Sequence, residues 1–302
     1  MPQLIVERTA VASRVRQVKR SAVERFVSEY YARHPDWVAR YGDRGLQLTL
    51  EDAGYFVDFL AAAIEAGAPE SFGSYTAWVV RVLEARRLNR SVVDETLHGL
   101  EAALAGAMGT DERSRLRPFF AAGLAALDRD SPGVAAEHLD PMAQHRAVFV
   151  QACLAGQRQA AVGLALEAMK DGRAPIDLYV HLFQETLYEV GRRWEGNRIS
   201  VAQEHTATAV VQYVLAHIYA RIGRPPVSHG RAVVTGVQGE LHQVGPNIVA
   251  DALDADGWDV RFLGTNVPHD GVLGAIGEHQ ASLVGISATM LTSAPQVGRL
   301  VE

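Results

Sequence analysis

Apolar residues recur at three- and four-residue spacing from about residue 11 to 222, and Gly, Pro and Ser fall at the breaks. That period predicts helices near 11–33, 49–66, 73–88, 91–107 and 112–127. The polar stretch LDRDSPGVAAEHLDP, 127–141, carries two prolines and interrupts the period, as a linker between domains does. A second helical set is predicted at 142–155, 157–171, 175–193 and 201–222, with Pro175 near the start of the third helix. Four helices of these lengths suit a bundle.

After the linker-like GRPPVSHG the pattern changes to short apolar runs alternating with helices. RAVVTGV, WDVRFLG and SLVGIS read as strands, and HQVGPNIVADALDADG and HDGVLGAIGEHQ as helices between them. This βαβαβ alternation implies parallel strands with right-handed crossovers, the opening of a doubly wound sheet. The expected organisation is an all-helical domain at 1–130, a four-helix bundle at 140–226 and a parallel-sheet Rossmann-like module at 227–302. Three strands are few for such a sheet, so the module is expected to be truncated, with a C-terminal portion beyond Glu302.

Composition narrows the function classes. With 302 residues, 48% hydrophobic, 21% charged and a formal net charge of −6, the chain reads as soluble and globular, and its charge argues against direct nucleic-acid binding. No apolar run reaches membrane-spanning length, and charges interrupt MPQLIVERTAVASRVRQVKR where a secretory signal needs an apolar stretch, so a cytoplasmic location is expected. Cys153 is the only cysteine. One chain therefore builds no disulfide and no cysteine-rich metal site, and metal chemistry must rest on His, carboxylate or a cofactor.

In GELHQVGPNIVADAL, 239–253, His242 follows a strand and precedes a helix. Ligands of doubly wound sheets bind beyond the carboxyl ends of the strands, which is where His242 falls. Glu240, two residues earlier, can hold the ring nitrogen that faces away from a ligand, and Gly245 lets a bulky planar group approach the first helical turn. On spacing alone, E-x-H-x-x-G is short enough to recur by chance, and an ordinary polar helix start remains open.

GELHQVG resembles the D-x-H-x-x-G signature of cobalamin-binding Rossmann modules, with Glu240 in place of the commoner Asp. The resemblance implies His242 as the lower axial ligand of cobalt, Glu240 behind it, and Gly245 beside the cofactor. GISATML is similar to the family's S-x-L segment, 41 residues after Gly245; Ser287 matches and Thr289 stands where Leu is usual. FLGTNVP, 262–268, resembles the family's second-strand loop, and the family's final Gly-Gly would fall beyond residue 302. Upstream, EVGRRWEGNRISVAQEHTATAVV is similar to the helical cap over the cofactor's upper face. Within it, Ser200 and Gln203 have capping-box spacing, and Trp194, Glu204 and His205 form W-x9-E-H.

That spacing resembles the adenosylcobalamin photoreceptors related to light-sensing carotenoid-gene repressors, where the Trp packs on the adenosyl group and the Glu and His help to hold it. Those repressors have His directly after the Trp; here Glu195 follows Trp194, so a bis-histidine photoproduct through that position is not expected. The N-terminal helices carry mixed charge rather than a basic recognition helix. They look weakly like globin-related sensor domains, an arrangement that resembles the photocobilins, which pair a bilin with cobalamin. In that reading His98, Tyr55, Trp78 and Arg81 would contact biliverdin or another bilin, held noncovalently because no cysteine precedes Cys153. As ordinary protein residues they are core or surface groups at helical spacing.

The resulting expectation is a light sensor rather than an enzyme: loss of the upper ligand shifts the cap and signals through a homo-oligomer or an output protein, with neither nucleic acid nor membrane as partner. The alternative is a corrinoid methyl carrier, or the cobalamin-binding component of a methyltransferase or mutase.

Overall fold

The computed structural model describes residues 2–128, 142–170, 175–223 and 225–301, with side chains from residue 6 onward. The predicted linker at 127–141 lies almost wholly outside the described residues. The chain divides into two compact units, Met1–Gly133 with Met290–Gly298, and Val134–Thr289 with Arg299–Glu302.

The first unit contains five long helices, α1 (Pro2–Arg33), α2 (Pro35–Ala66), α3 (Pro69–Ala85), α4 (Ser91–Ala107) and α5 (Thr110–Ala125). Pro35 and Pro69 open α2 and α3 at positions where a missing N–H costs nothing. Residues 35–48 lie outside the helices predicted from periodicity, yet they are helical in the structure. Gly42, at φ 58 and ψ −159, breaks the regular geometry inside α2, which explains why the apolar period does not run through it. The core is aromatic and leucine-rich, centred on Phe26, Phe72, Phe120, Leu97, Leu100 and Leu104.

The second unit begins with α6 (Ala143–Leu154), α7 (Arg158–Lys170), a helical rod over 175–195, and α10 (Val201–Tyr219). The rod is not the single uniform helix that the sequence suggested over 175–193. A short α8 (Pro175–Asp177) leads into a π-helical segment (Leu178–Gln184) and then α9 (Glu185–Glu195). Single wide turns of this kind are uncommon and often mark functional positions. The expected capping box is present: the Gln203 amide donates to Ser200 Oγ at 3.2 Å, and the Ser200 amide donates to Gln203 Oε1 at 3.0 Å.

A three-stranded parallel sheet follows, from β1 (Gly230–Gly236), α11 (Val244–Asp256), β2 (Trp258–Phe262), α12 (His269–His279) and β3 (Leu283–Ser287). A final helix, α13, spans Ala294–Val301. The spatial order is β2-β1-β3, with Gly230 opposite Trp258 and Ala232 opposite Leu283. The connection from β1 leads to one side of it and the connection from β2 returns to the other, so β1 and β3 flank a topological switch point. Ala232, Val233 and Val234 of β1 are buried, while β2 and β3 are half-buried.

The sequence separates a helical bundle from a sheet module, but their packing is continuous. Val244 of α11 belongs to the core formed by Phe149, Tyr179, Phe183, Val211 and Val214, and Ile248 and Ala252 pack against that core. The reason is the apolar stripe at i, i+4, i+8 along α11, which needs a partner on the side away from the sheet.

Gly236 closes β1 where space is tightest. A Cβ there would lie 2.6 Å from the Thr265 side chain and 3.2 Å from its Cα. Gly236→Ala is expected to destabilise the second unit by roughly 1–3 kcal/mol through overpacking. Denaturant unfolding of both proteins measures this, and equal stabilities would show that the Thr265 loop yields freely.

Candidate functional site: the crevice between the ends of β1 and β3

The loop after β1 carries Glu240 and His242, and the segment after β3 carries Thr289. His242 was expected to open the helix. It lies instead in the loop, two residues ahead of Val244, which frees its backbone for a local bond. Val237 donates its amide to the Ser287 carbonyl (3.3 Å), and Gly239 donates its amide to Asn266 Oδ1 (2.9 Å), so the loop is tied to the neighbouring strand ends.

Glu240 is the hub. Its side chain is fully buried, and it accepts three bonds: the His242 amide to Oε1 at 2.9 Å, His242 Nδ1 to the same oxygen at 2.5 Å, and the Thr289 amide to Oε2 at 2.6 Å. Burial alone would push this carboxyl up. The bonds from the His242 amide and ring and from the Thr289 amide, with the neighbouring imidazole, outweigh burial and hold it below the ordinary carboxylate range. Glu240 is therefore a carboxylate, which can only accept, so the proton between it and the ring sits on His242 Nδ1. That fixes the tautomer and leaves the Nε2 lone pair for a metal. Over half of the His242 side chain is exposed.

The donor set limits which metal this imidazole can hold. Among the described residues no three His, Cys, Asp or Glu side chains converge into a site for a bare ion. A lone imidazole suffices where a macrocycle fills the equatorial positions, as haem proteins illustrate. Room for a flat group exists beside the first turn of α11, since a Cβ on Gly245 would meet nothing within 4 Å. The residues present thus fit a corrinoid, which His242 would hold through Nε2.

The other expected residues occupy two further places. Trp194 is partly buried near the end of α9, and Glu204 and His205 lie in the first turn of α10. His205 Nδ1 faces Glu204 Oε2 at 2.5 Å, and Thr208 Oγ1 donates to Glu204 Oε1 at 3.1 Å. His205 is largely exposed. In the first unit, His98 sits exposed on α4 with Nδ1 3.0 Å from the Asp94 carbonyl, bonded within its own helix. Tyr55 is exposed on α2. Trp78 and Arg81 share α3, with the Trp78 ring 6.0 Å from that of Tyr75.

One expected participant, Thr289, acts through its backbone, and another residue, Asn266, escaped the sequence reading. At 289 a leucine was the usual residue, but the backbone amide makes the contact, so the side chain there is not what the bond requires. Asn266 was quoted only as part of a loop; the available signal was its residue type, since Asn tolerates the positive φ, 58 here, that a tight turn requires.

Comparison with known proteins agrees with this chemistry. Two family models match, each described as a B12 binding domain, one over residues 146–219 and the other over 230–302. The methanol–corrinoid protein of Methanosarcina barkeri is 26% identical over 163 residues, covering 54% of this chain and 63% of that protein. Monomethylamine corrinoid protein 1 of Methanosarcina acetivorans is 26% identical over 137 residues, 43% of this chain and 62% of that protein. The HTH-type transcriptional repressor CarA of Myxococcus xanthus is 26% identical over 107 residues, 35% of this chain and 37% of the repressor. The chain thus spans less than two thirds of the length of each of these relatives. The helical segment and the sheet module that share one core each match a B12 binding domain, which indicates cobalamin or a related corrinoid as the cofactor class.

Proposed function

We propose that the chain carries cobalamin with His242 as the lower ligand of cobalt and acts through a partner protein as a corrinoid carrier. The observation behind this reading is the short contact of His242 Nδ1 with a buried, ionised Glu240, which turns Nε2 toward metal ligation. Bound cobalamin supplies a cobalt centre whose upper ligand can be exchanged or lost. Glu240 keeps the His242 ring oriented and in one tautomer, the Thr289 amide keeps Glu240 in place, and the open side of Gly245 leaves room for the macrocycle.

The matched corrinoid proteins favour a methyl group as cargo over light sensing, with a methyl-transferring protein as partner. Light sensing by adenosylcobalamin is the second reading. Trp194 followed by the Glu204–His205 pair supports it, as does the similarity to the repressor CarA. Its extension to a bilin on Tyr55, Trp78, Arg81 and His98 rests on sequence arrangement alone. In either reading the chain is a carrier or regulator; in the carrier reading the methyl-transfer reactions belong to its partners.

One experiment separates the two. Protein is loaded in the dark with methylcobalamin or adenosylcobalamin, its affinity for each is measured, and each complex is run on size exclusion before and after green light. A carrier is expected to bind the methyl form at least as tightly and to elute unchanged after illumination. Marked preference for the adenosyl form with a light-dependent change in elution would reject the carrier in favour of the sensor.

A further inference from the structure

α11 carries two adjacent stripes that face the cap helices. Val244, Ile248 and Ala252 form the apolar one, packed in or against the cap core. Beside it runs a polar stripe of Asn247, Asp251 and Asp254 at helical spacing. The cap meets this stripe with two tyrosines. Tyr219 OH, at the end of α10, donates to Asp254 Oδ2 at 2.8 Å. Tyr179 OH, in the π-helical segment, donates to Asp251 Oδ2 at 3.4 Å, and Asn247 Nδ2 donates to the same oxygen at 3.1 Å. By distance the Tyr219 bond is the stronger.

The π-helical segment contributes to this arrangement. Tyr179 is fully buried, so its hydroxyl must find its acceptor inside the protein. Arg146 of α6 donates to the His181 carbonyl at 3.1 Å, which satisfies one backbone group of the same segment from outside. The segment is thereby held to α6 on one side and to α11 on the other. α11 in turn starts two residues after His242. A helix of 13 residues moves as one piece, so whatever fixes its flank also fixes the loop at its N-terminus.

We propose that Tyr179 and Tyr219 are positioning residues that fasten α11 to the cap and so hold the His242 loop in its ligating geometry. The cap is then not a separate body resting on the sheet. Any opening that exposes the cofactor's upper face either carries α11 along, disturbing His242, or first breaks these two bonds. The proposal rests on the reading of His242 as cobalt ligand for its second half, and its test separates the two halves.

Tyr179→Phe, Tyr219→Phe and the double variant keep the rings in place and remove only the hydroxyls. Amide hydrogen exchange is followed across 244–256, with α12 as internal reference, in protein without cobalamin. Tyr219→Phe is expected to speed exchange in α11 about tenfold, the effect of losing one bond to a charged acceptor, and the double variant more, while α12 is unchanged. Each protein, with nitrogen-15 in its histidine rings alone, is then loaded with cob(II)alamin, and the fraction showing the two-fold histidine-nitrogen splitting in electron paramagnetic resonance is recorded. That fraction is expected to fall in the double variant when it is measured well below that variant's own melting temperature. Unaltered exchange in α11 would overturn the fastening. Faster exchange with an unaltered histidine fraction would overturn its link to His242. If wild type shows no histidine pattern, the ligand assignment fails, while the exchange data still decide the fastening.

Discussion

Replacing His242 with alanine is expected to abolish histidine coordination of cobalt and to leave the fold intact. The side chain is more than half exposed, and its packing contributes little to the core, so the melting temperature should stay within a degree or two. Cobalamin affinity should fall by more than the tenfold to hundredfold typical of losing an orienting partner, because the ligand itself is gone. The electron paramagnetic resonance of the cob(II)alamin complex should lose its protein nitrogen splitting. The change also leaves Glu240 buried with two amides and no ring, still adequately bonded, which is why stability is spared. Unchanged affinity and splitting in His242→Ala would mean that the imidazole is only a helix-start residue.

The second large effect falls on Glu240. Glu240→Ala removes the acceptor for three donors at once: the His242 amide, the His242 ring and the Thr289 amide. Affinity for cobalamin is expected to drop about 10- to 100-fold through loss of the ring's orientation. Stability should drop too, by roughly 1–3 kcal/mol for polar groups left without a buried partner. Glu240→Gln separates these effects. Its amide oxygen can still accept, but it offers no charge to the imidazole, so stability should recover more than affinity. The carboxyl is held below its ordinary value in the folded protein. Its contribution is therefore fully present above the unfolded carboxyl's pKa and is lost as pH falls through the lower folded value. The stability difference between wild type and Glu240→Gln should change only in that window, as wild type loses there the Glu240 contribution that the variant lacks. Parallel curves would remove Glu240 from the account.

Much of the second unit was legible because its signals are local. Alternating apolar runs located all three strands to within a residue or two, and Ser200 with Gln203 marked the start of α10 by the chemistry of a helix N-terminus. Pairing Glu240 with His242 was equally local, since two residues of loop suffice to bring carboxylate and ring together. The contact from Thr289 was not, because a backbone amide carries no residue type and its approach depends on β3 lying beside β1. Likewise nothing local pairs Tyr179 with Asp251 or Tyr219 with Asp254, because these contacts exist only once α11 lies against the cap. The π-helical segment was hidden for a related reason: LYVHLFQ has an ordinary apolar content, and the Arg146 bond to its His181 carbonyl comes from another element. In the first unit, periodicity failed over 35–48 because Gly42 shifts the helical phase midway.

Everything above the cobalt depends on what lies beneath it, so the decisive measurement concerns the lower ligand. The protein is prepared with nitrogen-15 in its histidine rings alone, loaded with cob(II)alamin, and examined by electron paramagnetic resonance beside the unlabelled protein. Ligation through His242 Nε2 predicts that each cobalt line, split in three by nitrogen-14, becomes split in two, and that the labelled His242→Ala protein lacks the two-fold splitting. A three-fold splitting that persists in the labelled protein would mean that the cofactor's own base, not His242, holds the cobalt, and would contradict the account at its root.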